Sequence, residues 1–274
     1  MLEAASLASS EIASRRETTI VRLIDLNVPT VDGPSEATPV EVSLLDHASA
    51  PAALGLRPED FPEGEAISNE TVTLTTHTGT HMDAPLHYGL RSGGERAAAI
   101  DEIPLEWCYA PGVRLDLRHI PPGAAISVAD IEDALAKIPY ELVPGDIPLI
   151  WTGADRLWGT EAYRTEHPGM TRESTAYLVE RGARVIGIDA WGFDRPFASM
   201  VGDYRRDGDN RVLWPAHLYG REKPYCQLEK LAHLEDLPAA TGFTVACFPA
   251  KLAGLGAGWT RVVAIVPESN TEET

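Results

Sequence analysis

The chain has 274 residues, of which 23 are Lys or Arg and 41 are Asp or Glu, so its formal net charge at pH 7 is −18. This balance argues against nucleic acid or an anionic membrane surface as a partner, because both require clustered Lys and Arg. A hydrophobic fraction of 44% with 23% charged residues is typical of a globular protein with a substantial core, which excludes a disordered or fibrous chain and makes a small-molecule role the default.

The beginning of the chain predicts a short leader followed by one domain. Residues 1–19 are rich in Ala, Ser and Glu and predict a flexible leader or a short peripheral helix, and residues 20–274 predict a single catalytic domain. VRLIDLN at residues 21–27 predicts the first strand. Residues 45–68 contain three prolines and predict a long loop, of the kind that often covers a binding site.

Later elements alternate between strands and helices, which indicates a mixed α/β domain. Ser127 with Asp130 forms a capping box that predicts a helix over 128–138, and a second helix begins at Thr171 and ends at Gly182. Alternation and short apolar runs predict strands over 71–76, 113–117, 148–152, 184–189, 243–248 and 261–266. No composition break between residues 70 and 267 marks a linker.

Cysteine usage and hydropathy indicate a cytoplasmic protein. Cys108, Cys226 and Cys247 are too few and too scattered for a disulfide framework, and we expect them to be buried apolar residues. No segment approaches the roughly 18 consecutive apolar residues of a membrane span. No stretch in the first twenty residues has the apolar length of a signal peptide.

Residues 77–87, HTGTHMDAPLH, hold three of the eight histidines and one aspartate. His81 and Asp83 are two residues apart, so on an extended strand they point to the same side, about 6.6 Å apart, and both can reach one ion. Imidazole and carboxylate are ligands of Zn, Mn and Fe. On a straight strand His77 lies too far from His81 to share that ion, so the chain must turn, and Gly79 is where it can bend.

Two further positions extend this pattern. Pro85 prevents the strand from continuing and aims His87 separately, which favours His87 as a base over a further ligand. A complete site needs another carboxylate and histidine, and His217 with Glu229 twelve residues later is a candidate pair. The spacing of that pair is weak evidence by itself.

HTGTHMDAPLH resembles the HxGTHxDxPxH signature of the metal-dependent cyclase and hydrolase family, which includes bacterial kynurenine formamidase, isatin hydrolase and cyclases of aromatic polyketide pathways. The resemblance extends from DLN at residue 25 to the final strand RVVAIV. It implies a swivelling β/β/α domain, an α/β fold with a mixed sheet or barrel-like core and flanking helices. Members of the family are usually dimeric, so the resemblance implies a homodimer or a higher homo-oligomer.

The same resemblance assigns roles to individual residues. It implies that His77, His81 and Asp83 bind one divalent ion and that Asp83 bridges to a second. His217 and Glu229 would complete the second site. His87 is similar to the catalytic base of the family. The metal is expected to be Zn, with Mn or Fe as alternatives, in one or two ions.

Two segments resemble second- and third-ring cyclases of anthracycline-type biosynthesis more than formamidases: GIDAWGFDRPF at 187–197 and FPAKLAGLGAGWTRVVAIV at 248–266. The implied substrate is an aromatic polyketide. A flat substrate suits an aromatic slot, although each candidate alone is at least as compatible with an ordinary core position. The candidates are Trp191, Phe193, Trp214 and Tyr219. Arg195 is a candidate contact to an enolate or carboxylate oxygen, the alternative being an ion pair with Asp189 or Asp194.

Two reactions fit these groups. The favoured one is ring closure by intramolecular aldol condensation and dehydration, in which the metal is a Lewis acid and His87 is the base. The alternative is hydrolysis of an amide, lactam or lactone by activated water. An iron oxygenase triad of His81, Asp83 and His217 leaves Glu229 and two histidines unexplained, and a structural zinc site is disfavoured because such sites are rich in cysteine.

Overall fold

The computed structural model describes residues 20–268, so the predicted leader over residues 1–19 lies outside the described residues. The strands of the described part are β1 (Val21–Asp25), β2 (Glu41–Leu45), β3 (Asn69–Thr73), β4 (His81–Asp83), β5 (Arg91–Ser92), β6 (Glu95–Arg96), β7 (Tyr109–Asp116), β8 (Ala125–Ile126), β9 (Ile147–Trp151), β10 (Gly169–Met170), β11 (Val185–Ile188), β12 (Cys226–Glu229), β13 (Phe243–Ala246), β14 (Ala257–Trp259) and β15 (Val263–Pro267). Its α-helices are α1 (Ala50–Ala53), α2 (Pro85–Tyr88), α3 (Val128–Ala136), α4 (Arg172–Glu180), α5 (Phe197–Asp207) and α6 (Pro215–Tyr219). Within residues 20–268 no helix is both long enough and apolar enough to cross a bilayer.

One large sheet organises the described residues. Nine strands follow the order β1-β15-β13-β7-β9-β11-β12-β4-β14, and the sheet curls into a half-barrel with helices beside it. The neighbouring strands β7, β9, β11 and β12 are parallel, whereas the remaining pairs are antiparallel. The predicted α/β class, with a mixed and barrel-like sheet, is confirmed.

The central strands are buried on both faces, which explains their continuous apolar sequence. β9 reads IPLIW and β11 reads VIGI, and every residue in both strands is buried. Successive side chains of a strand point to opposite faces of the sheet. Accordingly Leu149 packs into one hydrophobic cluster and Ile150 into the other. Parallel strands between two apolar layers are the arrangement that such runs favour.

The predicted helices form where their capping residues lie. The Ser127 hydroxyl accepts a hydrogen bond from the backbone N–H of Asp130 at 3.3 Å, and the Asp130 carboxylate accepts one from the Ser127 N–H at 2.8 Å. Thr171 caps α4 in the same way through Ser174. α3 ends at Ala136, two residues before the predicted end. The three cysteines are buried, as predicted.

The structure differs from the sequence-based prediction before the histidine segment and at helix α5, among other elements. The predicted strand over 71–76 does not lead directly into the histidine segment, because β3 ends at Thr73 and pairs with β2 in an exposed hairpin. A hydrogen bond of 3.1 Å from the N–H of Thr78 to the carbonyl of Thr75 then turns the chain before β4 begins. Helix α5 was not predicted, and it forms one side of the cavity described below.

Candidate metal centre and adjoining cavity

The centre is built around β4, which lies between β12 and β14 in the large sheet. His81 and Asp83 are on the same face of this strand and both are completely buried. Glu229, at the end of β12, is directly opposite His81 in the antiparallel register. His81 Nε2 is therefore 3.5 Å from Asp83 Oδ1 and 3.6 Å from Glu229 Oε2.

His77 reaches the same carboxylate because the chain turns before β4. Gly79 has φ +65°, as expected for the predicted bend, and a Cβ at this position would lie 2.7 Å from Oγ1 of Thr30. The turn brings His77 Nδ1 to 3.0 Å from Asp83 Oδ1. A buried ion pair supports it, since Lys230 Nζ donates to the His77 carbonyl at 2.9 Å and to Glu36 Oε2 at 2.6 Å.

His87 approaches Asp83 from the other side. Pro85 occupies the first turn of α2, where its missing N–H costs no hydrogen bond. The short helix places His87 Nε2 3.9 Å from Asp83 Oδ2. The side chain of His87 is 35% exposed and lines the adjoining cavity, whereas Asp83 is buried. This imidazole therefore lies at the boundary between the buried donors and the solvent-accessible space.

His217 is brought in by α6 and oriented by Asp194. Its Nε2 lies 3.7 Å from Asp83 Oδ2 and 3.5 Å from Glu229 Oε1. Asp194 accepts hydrogen bonds from the backbone N–H groups of Ala216 and His217 at 2.8 and 3.1 Å, and its Oδ2 lies 2.5 Å from His217 Nδ1. Asp194 thus caps the helix and fixes the imidazole, a role that the sequence analysis missed.

The donor set fits a divalent cation. Both carboxylate oxygens of Asp83 are buried, and neither receives a hydrogen bond from any residue in 20–268. Such orphaned acceptors are costly unless a cation compensates them. Two groups of potential ligands share Asp83, and their donor atoms lie within 4.8 Å of one another: His77, Asp83 and His87 in one, His81, Asp83 and Glu229 in the other. Nitrogen and oxygen donors of this kind suit Zn, Mn or Fe.

The protonation states of the candidate ligands are also consistent with a cation site. Burial lowers the pKa of His81 to about 3, so its ring is neutral, and Nδ1 donates to the Gly79 carbonyl at 2.9 Å, which leaves the Nε2 lone pair facing the carboxylates. Burial and the charge of Asp83 raise the pKa of Glu229 to about 7. Burial opposes the charged form of His217, but the hydrogen bond to Asp194 and the nearby carboxylates of Asp83 and Glu229 outweigh it and raise the pKa well above the usual value.

A cavity of about 340 Å³ adjoins the centre. Trp191, Phe193 and Trp214 are among its lining residues, together with Phe197 and Met200 of α5. Such a volume and such apolar walls are typical of small-molecule sites. The N–H of Phe193 also donates to Glu229 Oε1 at 2.7 Å, which couples the wall to the centre.

Two of the predicted substrate contacts, Tyr219 and Arg195, already have other partners in the structure. Tyr219 does not line the cavity; it is buried beside Tyr225, with the guanidinium of Arg172 5.3 Å from its ring. Arg195 lines the cavity and pairs with Asp203 at 2.5 Å, so the alternative of an ion pair with Asp189 or Asp194 is wrong. Those carboxylates are already engaged: Asp189 accepts from Thr152 and Gly153, and Asp194 from His217.

Comparison with known proteins agrees with this geometry. The family described as "Putative cyclase" matches residues 24–195. An isatin hydrolase bound to the product analogue thioisatinate is 21% identical, with a TM-score of 0.72 over 97% of this chain and 99% of its own. Isatin hydrolase A from Ralstonia solanacearum is 21% identical, with a TM-score of 0.71 over 97% and 96%. A potential metal-dependent hydrolase with cyclase activity is 21% identical, with a TM-score of 0.63 over 90% and 99%. At these identities the likeness establishes the fold.

Proposed function

The chain belongs to the cyclase family, and from this premise we propose that it is a metal-dependent cyclase that closes a ring of an aromatic polyketide intermediate by intramolecular aldol condensation and dehydration. One observation carries the proposal. The buried nitrogen and oxygen donors adjoin a cavity with aromatic walls, and a partly exposed imidazole, His87, lies where the two meet.

Five residues would hold the metal: His77, His81, Asp83, His217 and Glu229. Zn is the expected ion, with Mn or Fe as alternatives, and Asp83 suits a bridging role because both ligand groups contain it. A bound divalent ion supplies Lewis acidity, which makes the C–H bond beside a ketone more acidic.

His87 would act as the base. Burial lowers its pKa to about 4, so the ring is neutral near pH 7 and Nε2 can accept a proton. Nε2 takes the proton from the carbon beside the ketone, and the resulting enolate carbon attacks a second carbonyl of the same molecule. The protonated ring then returns the proton to the new alkoxide. Loss of water from this alcohol makes the ring aromatic.

The cavity walls would orient the substrate for this attack. Trp191 and Trp214 line the cavity, and flat polycyclic molecules bind well against indole rings in stacked or edge-on geometry. Holding the two reacting carbons of one molecule in contact removes much of the entropic barrier to ring closure. The same walls exclude water from the enolate.

Hydrolysis of an amide, lactam or lactone is the second candidate. The similar isatin hydrolase was determined with thioisatinate, a product analogue, and the fold is shared over 97% of this chain. In that reaction His87 would take a proton from water and deliver it to the leaving nitrogen or oxygen. The same donor residues serve both reactions, so the substrate decides between them.

The test compares both reactions on one preparation. Protein loaded with Zn, Mn or Fe is incubated separately with bicyclic and tricyclic polyketide ketones, isatin and formylkynurenine. The molecular masses of the products are then measured by mass spectrometry. Cyclisation removes one water from the substrate, whereas hydrolysis adds one. Loss of water that requires both metal and His87 supports the cyclase. If isatin or formylkynurenine gains one water and the ketones do not react, the protein is a hydrolase and the cyclase proposal is rejected.

A homodimer is the expected assembly. The hairpin of β2 and β3 exposes Val42, Leu44 and Val72, and a lone two-stranded hairpin is marginally stable in water. A second copy packed against the hairpin would cover these side chains. Light scattering of the purified chain tests this, and a monomer at micromolar concentration would contradict it.

A further inference from the structure

We infer that Arg164 binds an anionic oxygen of the substrate, so that the substrate carries a carboxylate or an ionised enol or phenol besides the carbonyls that react. The inference rests on the proposed function in one respect: it takes the cavity beside the metal centre as the substrate site. The inference deepens that proposal by requiring a negative charge on the substrate. Arg164 takes the place of Arg195 as the expected contact to the charged oxygen.

The cations that line the cavity differ in whether they already have a partner. Arg195 is neutralised by Asp203, and Lys230 by Glu36. Arg164 also lines the cavity, yet within residues 20–268 no carboxylate oxygen lies within 4.0 Å of its guanidinium and no acceptor receives a side-chain hydrogen bond from it.

The partial burial of Arg164 makes the lack of a partner energetically costly. The residue is only partly exposed, so its guanidinium loses some of its hydration without gaining a partner. A guanidinium presents a planar fork of donors that matches a carboxylate, and such charge-assisted hydrogen bonds are about twice as strong as neutral ones. A substrate oxyanion would therefore satisfy a group that the protein itself leaves unsatisfied.

The backbone that carries Arg164 is fixed. It ends a short helix, Glu161–Arg164, which is anchored by the fully buried Tyr163. The Tyr163 hydroxyl donates to the Asp189 carbonyl at 3.2 Å, and the N–H of Glu166 donates to the Ala162 carbonyl at 2.7 Å. The backbone of Arg164 is thus fixed beside the cavity, which limits the positions that its guanidinium can reach.

His167, three residues later, is a second residue of the cavity lining with an unsatisfied polar atom. It lines the cavity and is 1% exposed. Its Nδ1 lies 2.9 Å from the Pro168 carbonyl, while Nε2 has no partner among the described residues. Burial lowers its pKa to about 4, so the ring is neutral and Nε2 is an acceptor. An acceptor beside a guanidinium complements an oxyanion flanked by a hydroxyl group.

The test uses two flat tricyclic probes that differ in charge, anthraquinone-2-carboxylate and anthraquinone-2-carboxamide. Their dissociation constants are measured on the zinc-loaded protein by quenching of tryptophan fluorescence, because Trp191 and Trp214 line the cavity. We expect the carboxylate to bind about tenfold or more tightly than the carboxamide. Arg164→Gln should abolish this preference by weakening the carboxylate alone, and Arg164→Lys should restore part of it.

Arg156→Gln is the matched control, because Arg156 is exposed on another short helix and does not line the cavity. A carboxylate preference that persists in Arg164→Gln would place the carboxylate at the metal and overturn the inference. Equal binding of both probes to the wild-type protein, or binding of neither, would also overturn it. Turnover is not measured, so an Arg164-dependent preference in a protein that cyclises no polyketide would reject the proposed function and leave this inference standing.

Discussion

Asp194 Oδ2 lies 2.5 Å from His217 Nδ1, and this contact aims the opposite ring nitrogen at both carboxylates of the centre. Asp194 is itself held by the first backbone N–H groups of α6. One carboxylate therefore performs two tasks: it caps the helix and it fixes the tautomer of a metal ligand. Carboxylates in this position also make the imidazole more basic as a ligand.

Asp194→Asn is expected to lower metal affinity by about tenfold to a hundredfold. The amide oxygen can still accept from the Ala216 N–H, but the NH2 group in place of Oδ2 cannot accept from His217, and the amide no longer balances the charge on His217. Titration of zinc against a competing chelator measures the affinity, with circular dichroism to verify folding. Asp207→Asn on the exposed end of α5 is the control. Unchanged zinc affinity in Asp194→Asn would show that His217 needs no such partner.

Asp83→Asn should lower the Tm of the metal-free protein and remove the response of the Tm to zinc. Burial opposes the charged form of Asp83, but the imidazoles of His81, His217 and His77 outweigh it and hold the pKa of its carboxyl well below the usual range, so removing the charge is expected to lower the Tm of the metal-free chain. Saturating zinc should raise the wild-type Tm by about 5 to 10 °C, because binding at a hundred times Kd is worth about 2.7 kcal/mol. The variant should show almost no response to zinc.

Calorimetric scans of both proteins, with zinc and with chelator, measure these four midpoints. The hydrogen-bonded Asp146→Asn serves as the control, since Tyr140 and the Val143 N–H already satisfy its carboxylate. A zinc response in Asp83→Asn equal to that of the wild-type protein would exclude Asp83 as a ligand.

Metal affinity should rise with pH between 6 and 8, because binding must displace protons. The pKa of Glu229 is raised to about 7 and that of His217 well above 6.5, so both hold protons in the metal-free chain near neutrality. Each displaced proton adds about a tenfold gain in affinity per pH unit. Calorimetric titration in two buffers of different ionisation enthalpy counts the protons released, and Glu229→Gln should release one fewer.

The folding stability of the metal-free chain should change with pH in the opposite direction, because the protonation of Glu229 stabilises the folded state. Glu229 has a folded pKa of about 7, above its ordinary value of 4.5, so its contribution is fully present below pH 4.5 and is lost as the pH rises through about 7. Zinc affinity that does not change from pH 6 to 8 would show that Glu229 and His217 have already lost their protons in the metal-free chain.

The local part of the site was predictable from the sequence, and the long-range part was not. His77, His81 and Asp83 lie within seven residues, so strand geometry and one glycine are enough to bring them together. The contact between Asp194 and His217 spans 23 residues, and that between Glu36 and Lys230 spans 194. Such contacts depend on sheet order and register, which no local pattern specifies.

The cavity wall shows the same limit. Trp191 and Trp214 were expected to line an aromatic slot, and both line the cavity. Tyr219, the last residue of α6, is instead packed in a hydrophobic core cluster. Phe197 and Met200 were not considered because helix α5 was not predicted. Residue type indicated that an aromatic cavity exists, but the side from which each ring enters depends on helix packing. The fold class was easier, since the buried runs of β9 and β11 favour a parallel sheet without long-range information.

Gly79→Ala should weaken metal binding without touching a ligand. At φ +65° an alanine is strained, and its Cβ would lie 2.7 Å from Thr30 Oγ1. The turn must then shift, and His77 loses its 3.0 Å approach to Asp83. Zinc affinity is expected to fall about tenfold or more, as for other changes that misplace a ligand. Gly202→Ala in α5, where the Cβ meets no atom within 4 Å, is the control.

His87→Gln separates catalysis from metal binding. Because His87 is partly exposed and its Nε2 is 3.9 Å from Asp83, we expect the variant to keep its zinc content while turnover falls about a hundredfold to ten-thousandfold. Elemental analysis and single-turnover rates on the same preparation measure the two quantities. The pKa of about 4 predicts that wild-type activity does not decline through protonation of this ring above pH 5. If zinc content falls together with turnover, His87 is a ligand, and the base must be sought among the other groups that line the cavity.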